Sequence, residues 1–218
     1  IAYHGEVAHR DSSGGGGIIY EGDVQWMTAG SGIIHEEFHS ENFSKQGELF
    51  EMVQLWVNLP AKDKNTPPHY QHLAKAGIPV VELPDEAGCL RLIAGEYKGV
   101  KGAADTFTEM NVWDIVLNDG KKAVLEIPEA HNLSMVVLRG NVTLNGKEQA
   151  GAGQLVGFEK SGGNVHIEAD SEEVKILLLS GVPIDEPVVG YGPFVMNTAE
   201  EIRQAISDFK SGKFGSID

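Results

Sequence analysis

Apolar positions in this chain recur in short runs, with no long helical stripe before the last twenty residues. Residues 18–20, 24–27 and 33–35 are β-prone, and 52–59 reads as the strongest strand of the N-terminal half, with Leu55, Val57 and Leu59 on one side and Trp56 opposite. It stops at Pro60. Residues 78–83 and 90–94 are again strand-like, and 112–117, 123–127, 133–138, 141–144, 154–158, 165–168 and 174–179 keep the rhythm. Asn118-Asp119-Gly120, Asn145-Gly146 and Ser161-Gly162-Gly163 are among the turn signals between them. Many short strands at this spacing predict an antiparallel sandwich or barrel, without helices alternating between strands.

The stretches between strands are equally informative. In residues 1–8 Gly5 is placed for a bulge or bend. Residues 9–17, from His9 to the glycine run, have no apolar face and read as an exposed, mobile loop. A phosphate-binding glycine loop would need Gly-x-Gly-x-x-Gly or Gly-Lys-Ser and a helix start, and none follows. Residues 41–47 read as polar loop. The composition shift at 61–68 and the polar segment through His72 predict a connector, giving an N-terminal domain of 1–72 and a C-terminal domain of 73–218. A faint repeat relates Tyr3-His4-Gly5-Glu6-Val7 to Leu138-Arg139-Gly140-Asn141-Val142, as a duplicated barrel would. One helix is predicted, over 198–211. Asn197 or Thr198 caps it with Glu200 or Glu201 three residues on, Ile202, Ala205, Ile206 and Phe209 follow the helical period, and Gly212 stops it.

Charge narrows the partners. With 32 acidic against 17 basic residues the formal charge is -15, which removes counterion release as a drive toward nucleic acid and disfavours an anionic membrane. No apolar run approaches 18 residues and no leader is visible, so the sequence reads as soluble and cytoplasmic. The single cysteine, Cys89, has uncharged neighbours and reads as a small buried side chain. The chain opens on Ile-Ala-Tyr, without methionine and on strand-like residues, and is read as a fragment.

The candidate chemistry lies in residues 22–39. His35-Glu36-Glu37-Phe38-His39 matches His-Glu-x-x-His, a zinc-protease pattern that works only inside a helix. Gly30-Ser31-Gly32 before it and Ser40-Glu41-Asn42 after it do not support one. On a strand, His35, Glu37 and His39 share one face, with Glu36 and Phe38 on the other. Imidazole plus carboxylate then makes half of a site for Fe(II), Mn(II) or Ni(II), the alternative being an exposed acidic strand end.

Longer motifs carry a resemblance. Gly22-Asp23-Val24-Gln25-Trp26-Met27-Thr28-Ala29-Gly30-Ser31-Gly32-Ile33-Ile34-His35-Glu36-Glu37 resembles the signature of the pirin family, in the cupin superfamily. The likeness continues through Gln54-Leu55-Trp56-Val57-Asn58-Leu59, then Thr66-Pro67-Pro68 with Tyr70-Gln71. It closes with Gly192-Pro193-Phe194-Val195-Met196-Asn197-Thr198 before the helix. The resemblance implies an all-β bicupin: two jelly-roll-like β-barrels face to face, with a C-terminal α-helix. It implies one metal, Fe(II) first with Mn, Ni, Cu or Zn as alternatives, held in the N-terminal barrel by three histidines and a glutamate. His35 and Glu37 correspond to the third histidine and the glutamate. The first two histidines belong to a His-Pro-His-Arg-Gly segment ahead of the strand matching Ile1-Ala2-Tyr3, so an incomplete ligand set is expected here. His4, His9 and His39 are substitutes at hand, and each reads as a surface side chain. In the C-terminal half His166-Ile167-Glu168 repeats the spacing and His131 is the other histidine; a solvated strand face and a metal-free second barrel are expected.

For function the resemblance implies an iron-dependent quercetin 2,3-dioxygenase acting on a flavonol. Glu37 is then both ligand and acceptor of the flavonol proton, and Trp26 and Met27 line the pocket. The rival expectations are a metal-dependent regulatory or adaptor protein, whose acidic surface suits a protein partner better than DNA, and a metal-free binding module.

Overall fold

In the computed structural model, residues 1–217 are described. The chain begins with β1 (Ala2–His4), β2 (Val7–Asp11), β3 (Gly16–Ile19), β4 (Val24–Thr28), β5 (His35–His39), a short helix α1 (Glu41–Gln46), β6 (Glu51–Met52) and β7 (His69–Leu73). It continues with β8 (Val80–Glu82), β9 (Gly88–Ala94), β10 (Glu96–Tyr97), β11 (Val100–Lys101), β12 (Met110–Asn118), β13 (Lys122–Glu126), β14 (Asn132–Arg139) and β15 (Asn141–Leu144). The rest is β16 (Glu148–Gly151), β17 (Leu155–Gly157), β18 (Asn164–Ala169), β19 (Glu173–Gly181), β20 (Val189–Tyr191), β21 (Phe194–Met196) and α2 (Ala199–Lys210). The protein is therefore mainly antiparallel β with one long helix at its end. Among the described residues no helix is long and apolar enough to cross a membrane.

Two compact units result. The second, Ala76–Pro183, sets a six-stranded sheet, β17-β14-β19-β12-β9-β8, against a four-stranded one, β13-β18-β15-β16. Alternation explains the pairing of layers: Leu90, Leu92, Trp113, Ile115, Ile176 and Leu178 from the larger sheet and Leu125, Val142, Leu144 and Ile167 from the smaller are buried in one core. His131, directly before β14, is buried, with Nδ1 3.1 Å from Ser180 Oγ and Nε2 3.1 Å from Glu109 Oε1. His166 is on the exposed side of β18. Cys89 is half-buried, and burial, then the charges of Glu82 and Asp114, push its thiol up, which keeps it protonated.

The first unit joins Ile1–Lys75 to the segment from Ile184 onward. Its ladders are β3-β2-β5, β4-β7, β1-β6 and β20-β21. The division expected at residue 72 thus moves to Lys75 and Ala76, because 69–73 is no linker: β7 pairs along its whole length with β4. The terminal helix belongs to this unit and not with 73–183. The reason is a set of polar ties: the Lys64 ammonium donates to Asn58 Oδ1 and the Val195 carbonyl, while Glu186 accepts from the Ala61 amide and Asn197 Nδ2.

Three local expectations change. Residues 41–47 form a helical turn, since Ser40 Oγ accepts from the Phe43 amide, Phe43 is buried and Gly47 closes it in the left-handed region. Residues 53–59 do not form a strand. Ile1 and Val53 exchange both backbone hydrogen bonds, but among the described residues no strand pairing continues beyond Val53, and Trp56 is 68% exposed. Residues 9–11 are the end of β2, with His9 and Asp11 buried, and not a mobile loop; the loop shrinks to the turn at 12–15. The bend expected at Gly5 is present, at φ +92°.

Candidate metal centre

β5 is a strand, as its glycine-rich approach predicts, so the helical zinc-protease arrangement does not form. β2 pairs with it antiparallel, setting His9 opposite Glu37, Asp11 opposite His35 and Val7 opposite His39. Directly opposed residues share a face, so two histidines and a carboxylate converge. Ligand atoms of His9, His35 and Glu37 all lie within 4.8 Å of one another.

His9 is the buried member, 3% exposed, while His35 and Glu37 are exposed. Its Nε2 lies 3.3 Å from Asp11 Oδ2 and its Nδ1 3.0 Å from Gln25 Nε2. The Asp11 side chain also accepts from the Ser13 amide at 2.8 Å, the Ser13 hydroxyl at 2.5 Å and the Gly15 amide at 3.1 Å. Burial pushes the Asp11 carboxyl up, but these donors together with His9 outweigh it and hold it below the usual range. An ionised Asp11 assigns the His9 proton to Nε2, with Nδ1 accepting from the Gln25 amide. The ring is thereby oriented from both edges, and ligation by His9 requires exchange of one of these two partners.

Tyr70, from β7, stacks on His9 with centroids 5.1 Å apart and planes 5° from parallel. Burial, then the negative charges of Asp11, Glu37 and Asp23, push its phenol up, so it remains a donor at the site. Gln54 Nε2 donates to Glu37 Oε2 at 3.2 Å. Two carboxylates, Asp11 and Glu37, beside two imidazoles make a local field that favours a cation. Two imidazoles and a carboxylate suit a divalent first-row metal, so the residues present fit such an ion in donor type.

The other candidates are dispersed. His39 shares the face but packs against Phe43 and Phe50, with ring centroids at 5.4 and 5.0 Å. His4 is bonded to Glu21 at 3.0 Å. Met27 alternates with Gln25 on the side of β4 that meets His9, and pairs with Tyr70; Trp26 projects from the opposite face. His9, read from sequence as a surface side chain, is instead buried at the centre of the cluster, and Asp11, Gln25 and Tyr70 support it. The one signal available was the period of two in Val7, His9 and Asp11.

Two family models match the chain: "Pirin" over residues 1–57 and "Pirin C-terminal cupin domain" over 112–215. A relative from Pseudomonas aeruginosa, named as a candidate quercetin 2,3-dioxygenase, is 52% identical over 98% of this chain and 74% of its own length. A solved structure described as quercetin 2,3-dioxygenase from Acinetobacter baumannii superposes with a TM-score of 0.95 at 52% identity, covering 100% of this chain and 75% of that one. A bacterial pirin from Escherichia coli, solved in complex with nickel(II), gives a TM-score of 0.61 at 25% identity over 84% of this chain and 70% of that one.

Proposed function

This chain belongs to the pirin family, and from that premise we propose that it contributes His35 and Glu37, with His9, to a divalent-metal site of the quercetin 2,3-dioxygenase type. The observation that carries the reading is the convergence of these three side chains on one face of the β2–β5 ladder. Fe(II) is the favoured ion. When bound, it supplies a Lewis-acid centre for an enolisable substrate and dioxygen.

The substrate class is a flavonol. The Gln54 amide holds one Glu37 oxygen, Oε2, which leaves the other to bind or to accept the flavonol hydroxyl proton. Tyr70 offers a phenolic proton beside it, and Met27 supplies apolar surface on the same side of β4. Asp11 and Gln25 hold the His9 ring in place.

The test is anaerobic loading of the purified chain with Fe(II), followed by metal analysis and by quercetin-dependent oxygen uptake. Stoichiometric iron with turnover that disappears in Glu37→Gln supports the reading. Bound iron without quercetin-dependent uptake overturns the enzyme in favour of a regulatory protein, and no metal uptake overturns the site.

A further inference from the structure

His35 enters β5 from a turn that is held on two sides. Gly30 has φ +54°, and a Cβ there would lie 2.0 Å from the Thr66 carbonyl oxygen, which also accepts from the Ser31 amide at 2.8 Å. Gly32 has φ +123°, and a Cβ there would lie 2.1 Å from Cε1 of Phe214. The Phe214 ring thus occupies the space over Gly32 that any side chain would need.

Phe214 is held in turn by its own neighbours. Its ring packs against Phe194 and Phe209 at centroid distances of 6.3 and 6.1 Å. The turn that carries it is closed by the Lys213 amide donating to the Asp208 carbonyl and the Gly215 amide to that of Gly212, at 3.1 Å each. Ser12 connects this tail to the site. Its hydroxyl donates to the Phe214 carbonyl and accepts from the Ile34 amide at 3.0 Å, while its own amide donates to the Ile34 carbonyl at 2.8 Å. Ser12 directly follows Asp11, the partner of His9, and Ile34 directly precedes His35.

We propose that Ser12 and Phe214 are positioning residues: the C-terminal tail, through the Ser12 hydroxyl and the Phe214 ring on Gly32, sets the backbone that presents His35 to His9 and Glu37. The connection to metal rests on the proposed function, whereas the hold on the turn does not. Segments outside a ligand set fix the ligands' orientation, and on a site otherwise carried by an exposed strand end such support decides affinity.

The experiment uses the full chain with Ser12→Ala, Ser12→Thr, Phe214→Ala and the milder Phe214→Leu. Three quantities are read: hydrogen exchange of residues 29–36 without metal, the His35 imidazole NMR signal without metal, and nickel(II) affinity by equilibrium dialysis. Ser12→Ala and the Phe214 variants are expected to speed exchange in 29–36, shift the His35 signal and weaken nickel binding about tenfold, the scale of lost outer-shell support. Ser12→Thr, which keeps the hydroxyl, is expected to restore all three. Exchange and a His35 signal equal to wild type overturn the proposal, as does faster exchange with undiminished nickel affinity. Should the wild type bind no nickel, the metal reading fails, while exchange and the His35 signal still decide whether the tail holds the turn. Where Phe214→Ala does not fold, Phe214→Leu and the two Ser12 variants decide.

Discussion

His9 on β2 stands directly across the ladder from Glu37 on β5, so a buried imidazole and an exposed carboxylate share one face. The buried partner is the one with both ring nitrogens engaged, by Asp11 and Gln25. His9→Phe preserves a flat ring for Tyr70 to stack on but removes one hydrogen bond each from buried Asp11, which keeps its Ser13 and Gly15 donors, and from half-buried Gln25. We expect a loss of about 1–2 kcal/mol, the net worth of the lost hydrogen bonds, measured by urea unfolding of metal-free protein. A loss near zero would mean that water replaces the ring's hydrogen bonds.

The strand character of β5 and the placement of His35 and Glu37 on one face were legible because side-chain alternation is a local property. The role of His9 was not. It lies in a polar stretch that runs into four glycines, and its ladder partner Glu37 on β5 and its stacking partner Tyr70 on β7 are distant in sequence. Residues 53–59 show the converse. Their alternation is strong, but a strand exists only where a neighbour pairs with it, and pairing stops at Val53. The helix α2 was legible from its caps and period. That it packs with the first unit depends on Lys64, Glu186 and Asn197, whose partners no periodicity reveals.

Asp23 gives a pH dependence of stated sign. Burial pushes its carboxyl up, but the Tyr20 amide at 3.0 Å, the Lys75 amide at 2.7 Å and His72 at 3.3 Å bring it below the usual range. A depressed carboxyl adds stability that is fully present above its unfolded value, roughly pH 4, and is lost as pH falls through the folded value. Asp23→Asn should therefore be less stable than wild type at pH 7, with the gap narrowing below about pH 4. Urea midpoints at pH 7, 5 and 3 check this; a gap of constant size contradicts it.

Thr198 caps α2: its hydroxyl accepts from the Glu201 amide at 3.2 Å, and Glu201 reaches back to the Asn197 amide at 3.1 Å. Thr198→Ala removes one half of this reciprocal pair. The expected loss is about 1 kcal/mol, and Thr198→Ser should recover most of it. Thermal unfolding of the two variants side by side distinguishes the lost hydroxyl from the lost methyl.

Gly88 and Gly120 both have positive φ, +134° and +65°, but their surroundings differ. A Cβ on Gly88 would lie 2.0 Å from the Val116 carbonyl oxygen inside the β9–β12 ladder, whereas nothing lies within 4 Å of one on Gly120. Gly120→Ala should cost only the left-handed penalty of about 1–2 kcal/mol. Gly88→Ala must in addition displace backbone, so its loss should be clearly the larger. Equal urea midpoints for the two would show that the ladder yields without cost.

His35 and His39 are four residues apart on the same face of the same strand, and spacing alone treats them as equivalent ligands. Their cross-strand partners separate them. His35 faces Asp11 and lies within reach of His9 and Glu37, whereas His39 faces Val7 and rests on Phe43 and Phe50. An imidazole that rests on two aromatic rings contributes packing, and it is not among the three side chains whose ligand atoms converge. His39→Leu should therefore leave metal uptake by the full chain unchanged while altering stability modestly. His35→Leu should reduce uptake by more than the roughly 10–100-fold that outer-shell changes cost, with little effect on stability because the side chain is exposed. Metal analysis after dialysis, together with a melting curve for each variant, reads both quantities. Equal loss of metal in the two would mean that the whole strand face, and not the corner beside His9, forms the site.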